Sequence, residues 1–351
     1  MIPVNELKTF EEQDMLLSVN DLSQTYRRRA TEVKPAVMWG QRKLGCAIIQ
    51  FLTLYWDKTT HPKPILVYAG AAPGNTIVTA ATLFPEVTFE LYDPKRFNLR
   101  ITPSNVIIHT GDQGYFTDDT ANQWSNNTQG VYFISDIRTV DYSKKAVTAK
   151  EKSYNEQIVW KDMLNQQRWY QLINPVKAQL KMRLPYYDEE TSTEYSRYVP
   201  YLYGLVYKGI WSPQTSSETR LVPEDGIIIK WDIKAYEEKM AYFNAVIREQ
   251  PNRYVTPVAT ETAGIEPGFI GDYDSTAEIA MWVNYLKKIG GDEAVTADNV
   301  VGLVNLLTRD INHSYKENDW LSVSKLRQNP YLIHELRVKR VYTDDIEEGE
   351  L

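Results

Sequence analysis

The sequence predicts an α/β fold, with a mostly parallel central sheet and helices on both faces. Three observations predict it. Short apolar runs of strand length alternate with stretches of helical periodicity. Two of those runs, TFELYD (88–93) and GVYFISD (130–136), close on an acid. The first run, ILVYAG (65–70), ends at a glycine–proline turn that opens a helix. Sheets of this class bind ligands beyond the carboxyl ends of their strands, near the point where strand order reverses.

The first 35 residues read as irregular or weakly helical. QRKLGCAIIQFLTLYWD (41–57) carries apolar positions at helical spacing. The first strand and its AAPGN turn lead into a helix, TIVTAATLF. NVIIHT (105–110) is a strand between the two acid-ended ones. SYNEQIVWKDMLNQQRWYQLI (153–173) is an amphipathic helix that Asn174-Pro175 stops, and VKAQLKMRL follows as a strand. A tyrosine-rich polar loop (186–198) precedes two further strands, near YLYGLVYKG and GIIIKWDI. Helices are expected at 234–249, 273–289 and 296–312, ahead of a solvated acidic tail.

Composition narrows the class. The chain has 351 residues, 43% apolar and 24% charged, enough for one large domain or two modest ones. No apolar run approaches the roughly 20 residues that span a bilayer, and the N-terminus lacks a secretory pattern. Cys46 is the sole cysteine, and four scattered histidines lack ligand spacing, so no disulfide and no metal are expected. The net charge of −7 argues against coating nucleic acid by bulk charge and is compatible with a local basic groove. Basic residues cluster at Arg27–Arg29, at Arg42 and Lys43, and at Lys144, Lys145, Lys150 and Lys152. The 24 tyrosines and nine tryptophans offer faces for unpaired bases as well as core packing.

The turn Tyr68-Ala-Gly-Ala-Ala-Pro-Gly-Asn75 is the first candidate site. Gly70 and Gly74 allow tight backbone geometry and close approach of a ligand. The turn is not G-x-G-x-x-G and has no phosphate-loop lysine, which disfavours a pyrophosphate site. Asp93, at the end of the next strand, is placed to accept from two ribose hydroxyls. This layout suits S-adenosylmethionine.

Four charged residues form the second candidate site: Lys43, Asp136 closing its strand, Lys181 on AQLKMR, and Glu218 in SSETRL. A free lysine, with pKa about 10.4, is no base at neutral pH. A second lysine, a sulfonium charge and burial favour its neutral form, while the acids hold the amines in place. Lys181 is expected to take the proton of a ribose 2′-hydroxyl. Lys43 and Asp136 tune and orient it, and Glu218 fixes the geometry.

The blocks GQRK (40–43), VYAGAAPG (67–74), LYD (91–93), ISDIR (134–138), NPVKAQLK (174–181), SETRL (217–221) and YEEKM (236–240) resemble, in order and spacing, the poxvirus-type cap-specific mRNA 2′-O-methyltransferase family. Members of that family also serve as the small, processivity-promoting subunit of the poxvirus poly(A) polymerase. The resemblance implies a Rossmann-like S-adenosylmethionine-dependent methyltransferase fold and a large DNA virus as source. It implies catalysis by Lys43, Asp136, Lys181 and Glu218. It places cofactor contacts on Gln41, Tyr68, Gly70, Ala72, Pro73, Gly74, Asp93 and Asp136, with Lys95 replacing a family arginine. For the methylated guanine of the cap it implies the rings of Tyr26 and Tyr186 and the acids Asp188 and Glu237; a cationic base favours rings and carboxylates together.

The implied organisation is an N-terminal segment at the cap and RNA site (1–40), a methyltransferase core (41–250), a helical extension packed on it (251–340) and an acidic tail (341–351). The implied partners are capped mRNA and a viral poly(A) polymerase catalytic subunit, with no membrane, in the host cytoplasm and virion. The loop between Lys181 and Glu218 is longer than the family's, and no matching block follows residue 250. Two alternatives stay open: a non-enzymatic scaffold subunit of a viral poly(A) polymerase, and a 2′-O-methyltransferase acting on another RNA.

Overall fold

Seven strands form the central sheet of the computed structural model: β1 (Ile65–Ala69), β2 (Thr88–Tyr92), β3 (Val106–His109), β4 (Val131–Ser135), β5 (Lys177–Met182), β6 (Tyr198–Lys208) and β7 (Thr219–Asp232). The structure describes residues 8–26, 33–35, 39–140, 146, 148–213, 216–248, 250, 253–255, 270–312 and 340–342. The acidic tail beyond 342 and the basic residues Arg27–Arg29, Lys144 and Lys145 lie outside them.

The strand order is β3-β2-β1-β4-β5-β7-β6. β3, β2, β1, β4 and β5 run parallel, and β7 runs antiparallel to both of its neighbours. Every residue of β1 and β4 is buried, as continuous apolar runs in a sheet covered on both faces require. The chain leaves β1 toward β2 on one side and later returns to β4 on the other. The switch point therefore falls between the carboxyl ends of β1 and β4.

The helices are α1 (Trp39–Tyr55), α2 (Ile77–Leu83), α3 (Asp118–Gln123), α4 (Ala149–Ile173), α5 (Ile233–Tyr242), α6 (Tyr273–Gly290) and α7 (Ala297–Asn312). α3 and α4 pack together, with α4 against β4, β5 and β6. α1 and α2 form a second group, on which α6 and α7 stack. α4 begins earlier than its apolar pattern indicates because of a capping box: Glu151 N donates to Thr148 Oγ1 at 3.2 Å, and Thr148 N to Glu151 Oε2 at 2.9 Å. It ends at Asn174, which takes a left-handed conformation ahead of Pro175. α3, with the polar sequence DDTANQ, gives no apolar period to read; Thr117 caps it by accepting from Thr120 N. β7 extends further toward its N-terminus than GIIIKWDI suggests. Asp225 and Gly226, both at positive φ, loop out within it without ending the pairing with β6.

Residues 16–26 form a strap across β6 and α5. Leu17 N donates to Val206 O at 2.8 Å, Gln24 N to Glu238 O at 3.1 Å, and Lys239 Nζ to the carbonyls of Ser18 and Val19. Val19 and Leu22 face outward while Leu16 and Leu17 pack on the core, so the strap is held by apolar burial at its start and by polar contacts along the rest.

Candidate functional site

The strand register lines up the predicted residues. Ala69 of β1 pairs with Tyr92 of β2 on one side and Ser135 of β4 on the other. The residues that follow these three, Gly70, Asp93 and Asp136, leave the sheet at one level. Ser135 pairs with Leu180, so Lys181 stands level with Asp136. Lys181 pairs in turn with Arg220 of β7. Glu218, two residues before Arg220, points to the same side.

Lys43, Asp136, Lys181 and Glu218 converge. Lys181 Nζ lies 3.4 Å from Asp136 Oδ1 and 3.3 Å from Glu218 Oε2, and Lys43 Nζ donates to Glu218 Oε1 at 2.7 Å. Each of these side chains is about nine-tenths buried. Arg220 is the member that the reading of the sequence missed. Its Nη2 lies 2.7 Å from Asp136 Oδ1 and its Nη1 2.8 Å from Glu218 Oε1. The first of these is an ion-pair contact without hydrogen-bond alignment. The signal for it was in SETRL, where strand alternation puts Glu218 and Arg220 on one face.

Burial pushes the Lys181 amine below the ordinary lysine range. Asp136 and Glu218 oppose that shift, and Arg138 and Lys43 add to it. Burial alone would raise Glu218, but Lys181, Lys43 and Arg220 overcome it and hold the carboxyl well below the ordinary range. Burial raises the Tyr68 phenol, with Asp136 acting the same way, so the site's tyrosine stays protonated.

The glycine turn adjoins this cluster. Gly70 has φ +80, and a Cβ there would meet the Asp136 carbonyl carbon at 2.9 Å. Gly74 has φ +74, and the Ala72–Pro73 peptide is cis. Asp93 accepts from Ala72 N at 3.1 Å and from Lys95 N at 2.9 Å, which ties the turn to the end of β2. The Lys95 side chain itself is exposed. Burial raises the Asp93 carboxyl against those two N–H groups. Around the turn, Gln41 Oε1, Asn75 Oδ1 and Ser135 Oγ are buried without hydrogen-bond partners in the protein. Orphaned buried acceptors and hydroxyls of this kind suit a polar ligand that supplies the missing bonds.

The aromatic residues predicted far apart in sequence also meet. The strap brings Tyr26 to Tyr186, with ring centroids 6.3 Å apart and planes 27° from parallel. Arg183 lies 4.9 Å from the Tyr186 ring and is gripped by Glu156, whose oxygens accept from its Nη1 and Nη2 at 3.2 and 3.0 Å. Glu156 also accepts from Tyr186 N at 2.9 Å. Glu237 on α5 is half-buried; burial raises its carboxyl, and Glu156 and Glu238 act the same way. Asp188 is exposed. Its Oδ1 accepts from Thr191 Oγ1, Thr191 N and Glu190 N, which hold its carboxyl below the ordinary range and commit that oxygen to the local turn. Glu156 and Arg183 carry no signal in the sequence, because a long polar helix and a strand end reveal nothing of their meeting.

Residues 13–254 match the protein family described as poly A polymerase regulatory subunit. No curated protein matches the chain. Among solved structures, similarity extends to bluetongue virus VP4, described as a multifunctional RNA-capping production line. That match has 11% identity and a TM-score of 0.34, over 63% of this chain and 33% of that one. The chain thus spans about a third of that relative's length. The family match covers more than half of the sequence and runs from the strap through β7 and α5. The chain belongs to the poly(A) polymerase regulatory subunit family.

Proposed function

We propose that this protein methylates the ribose 2′-hydroxyl of the first transcribed nucleotide of capped mRNA, converting cap 0 to cap 1, with Lys181 as general base. One observation carries the reading: Lys181 Nζ sits between Asp136 and Glu218, nearly buried, with only β4 between its strand and the one that ends in the glycine turn.

Charge balance supports that role. Lys43 and Arg220 pair with Asp136 and Glu218, and Arg138 adds a further cation near Lys181, so protonating Lys181 adds to a positive charge already in place. Burial makes that addition costly. Lys181 then accepts the hydroxyl proton, and Asp136 and Glu218 stabilise the ammonium that forms. S-adenosylmethionine would be held by Gln41, Tyr68, the 70–74 turn and Asp93, with Lys95 at the rim, and supplies an electrophilic methyl group when bound. Asp93 fits its ribose, and the orphaned Gln41 and Asn75 oxygens fit donors of its amino-acid end.

For the cap, Tyr26 and Tyr186 would sandwich the methylated guanine. A planar base between two rings needs about 7 Å, two contact distances, so the 6.3 Å pair would open slightly. Glu237 would read the base edge, with Asp188 contributing only through Oδ2, since its Oδ1 is committed to the local turn. The test is methyl transfer from labelled S-adenosylmethionine to one short RNA, capped or uncapped. Transfer should need the cap and should vanish in Lys181→Ala while cofactor binding persists. Equal transfer to uncapped RNA would move the reading to another RNA substrate.

The family itself favours a second role, as processivity subunit for a poly(A) polymerase catalytic subunit. The two roles are compatible if the polymerase docks on a surface away from the buried lysine cluster. Co-purification of Lys181→Ala with such a polymerase, at the wild-type level, would separate them.

A further inference from the structure

α6 lies beyond the residues matched by the family, yet it reaches the lysine cluster from behind. Its Glu278 is fully buried and takes the Nε–Nη2 edge of the Arg42 guanidinium with both carboxylate oxygens. Nε donates to Oε2 at 2.7 Å, and Nη2 to Oε1 at 2.6 Å. Arg42 Nη1 continues to Thr308 Oγ1 of α7 at 3.0 Å. Arg42 directly precedes Lys43 in α1.

Glu278 holds the other side as well. It accepts from Trp211 Nε1 at 2.6 Å and from Trp282 Nε1 at 3.2 Å. One turn earlier in α6, Asp274 accepts from Trp211 N at 2.8 Å and from Arg248 Nη2 at 2.8 Å. Arg248 also donates to the Ser212 carbonyl, and Asn244 to the Ser216 carbonyl at 2.8 Å. Trp211, Ser212 and Ser216 belong to the segment that delivers Glu218. Both ends of the 2.7 Å Lys43–Glu218 pair therefore hang from one buried helix.

We infer that Glu278 is a positioning residue for the lysine cluster, acting through Arg42 on Lys43 and through Trp211 on Glu218. This rests on the methyltransferase reading for its consequence and on geometry alone for its existence. A buried ion pair gives little net stability over apolar packing of the same volume, because both charges lose their water. What it supplies here is a fixed distance. If that distance loosens, Glu218 turns from Lys43 toward Lys181 and favours the protonated amine. Lys181 faces Asp136, Glu218, Arg138 and Lys43, with Arg220 and Tyr68 behind the acids. Arg42 and Glu278 face Cys46, Trp211, Trp282 and Thr308.

The test follows the Lys181 amine by carbon NMR of its ε position across pH, in the full chain, alongside single-turnover methyl transfer to capped RNA. In Glu278→Gln the amine should titrate at higher pH than in wild type. The transfer rate near neutrality should fall about tenfold or more, with cofactor affinity held within about twofold. Trp211→Phe, which removes one indole donor, should shift both in the same direction by less, and it carries the test if Glu278→Gln does not fold. An unchanged titration midpoint in a folded variant overturns the inference, even if activity falls. A shifted midpoint in a protein whose wild type transfers no methyl group sustains it and sinks the methyltransferase reading instead.

Discussion

Arg220 and Asp136 form an ion pair, Nη2 to Oδ1 at 2.7 Å, that adds a permanent cation to the two lysines and two acids. This pair keeps one acid from acting fully on Lys181. Replacing the guanidinium frees Asp136 and Glu218 to stabilise the Lys181 ammonium, so its pKa rises. A base must be neutral to act, so methyl transfer should rise with pH and level off above the lowered Lys181 pKa. In Arg220→Met that rise should move to higher pH, with about tenfold less activity at neutrality for each unit of movement. The pH profile of single-turnover transfer checks this, and an unmoved profile would remove Arg220 from the electrostatics of the base.

The Tyr26–Tyr186 pair predicts cap affinity. Losing either ring to alanine should weaken binding of a 7-methylguanosine cap analogue by about 5- to 150-fold, the range expected for one stacking partner. Cofactor affinity should not change. Binding should also weaken as pH falls through the raised pKa of Glu237, at a higher pH than an ordinary glutamate would give. Fluorescence titration of the cap analogue measures both effects.

Gly70 predicts cofactor binding. A methyl group there meets the Asp136 carbonyl carbon at 2.9 Å in a backbone conformation that side chains rarely adopt. Gly70→Ala should displace the turn and reduce S-adenosylhomocysteine affinity by about tenfold, a loss of roughly 1.4 kcal/mol. Calorimetry gives the affinity, and a wild-type value would show that the turn does not touch the cofactor.

Lys288 of α6 closes the carboxyl end of α1. Its Nζ donates to the Leu52 and Thr53 carbonyls at 3.1 and 2.7 Å and also to that of Trp56. They lie in or just past the last turn of α1, where carbonyls lack a full set of intrahelical partners, although Leu52 O also accepts from Trp56 N. Lys288→Met keeps an apolar stem over Trp56 but removes the donor and should cost about 1 kcal/mol of stability. Denaturant unfolding would register it as a lower midpoint at unchanged slope.

The centre of the sheet was legible because β1 and β4 are continuous buried runs that close on Gly70 and Asp136, which fixes both the strand positions and the end that binds. Asp136, Lys181 and Glu218 were legible from the strand ends they sit on, where register carries Ser135, Leu180 and Leu221 to one level, while Lys43 reaches them from α1. Arg220 was readable from alternation alone and was missed. Tyr26 meeting Tyr186 depends on polar contacts of the strap to β6 and α5, which leave no periodic trace. The Arg42–Glu278 link joins distant parts of the chain and is invisible until α6 is placed against α1. Asp188 was read as a base-facing acid, and the structure gives one of its oxygens to the turn at Thr191.

In the proposed reaction the Lys181 amine serves as the base for a sugar hydroxyl at the capped end of an RNA. The most direct measurement is mass analysis of the first nucleotide after incubating capped RNA with S-adenosylmethionine and either wild-type protein or Lys181→Met. A methyl group is expected on the 2′-oxygen of that nucleotide with wild type and none with the variant. Methylation on a base, or on the same oxygen at equal rate with the variant, would contradict it.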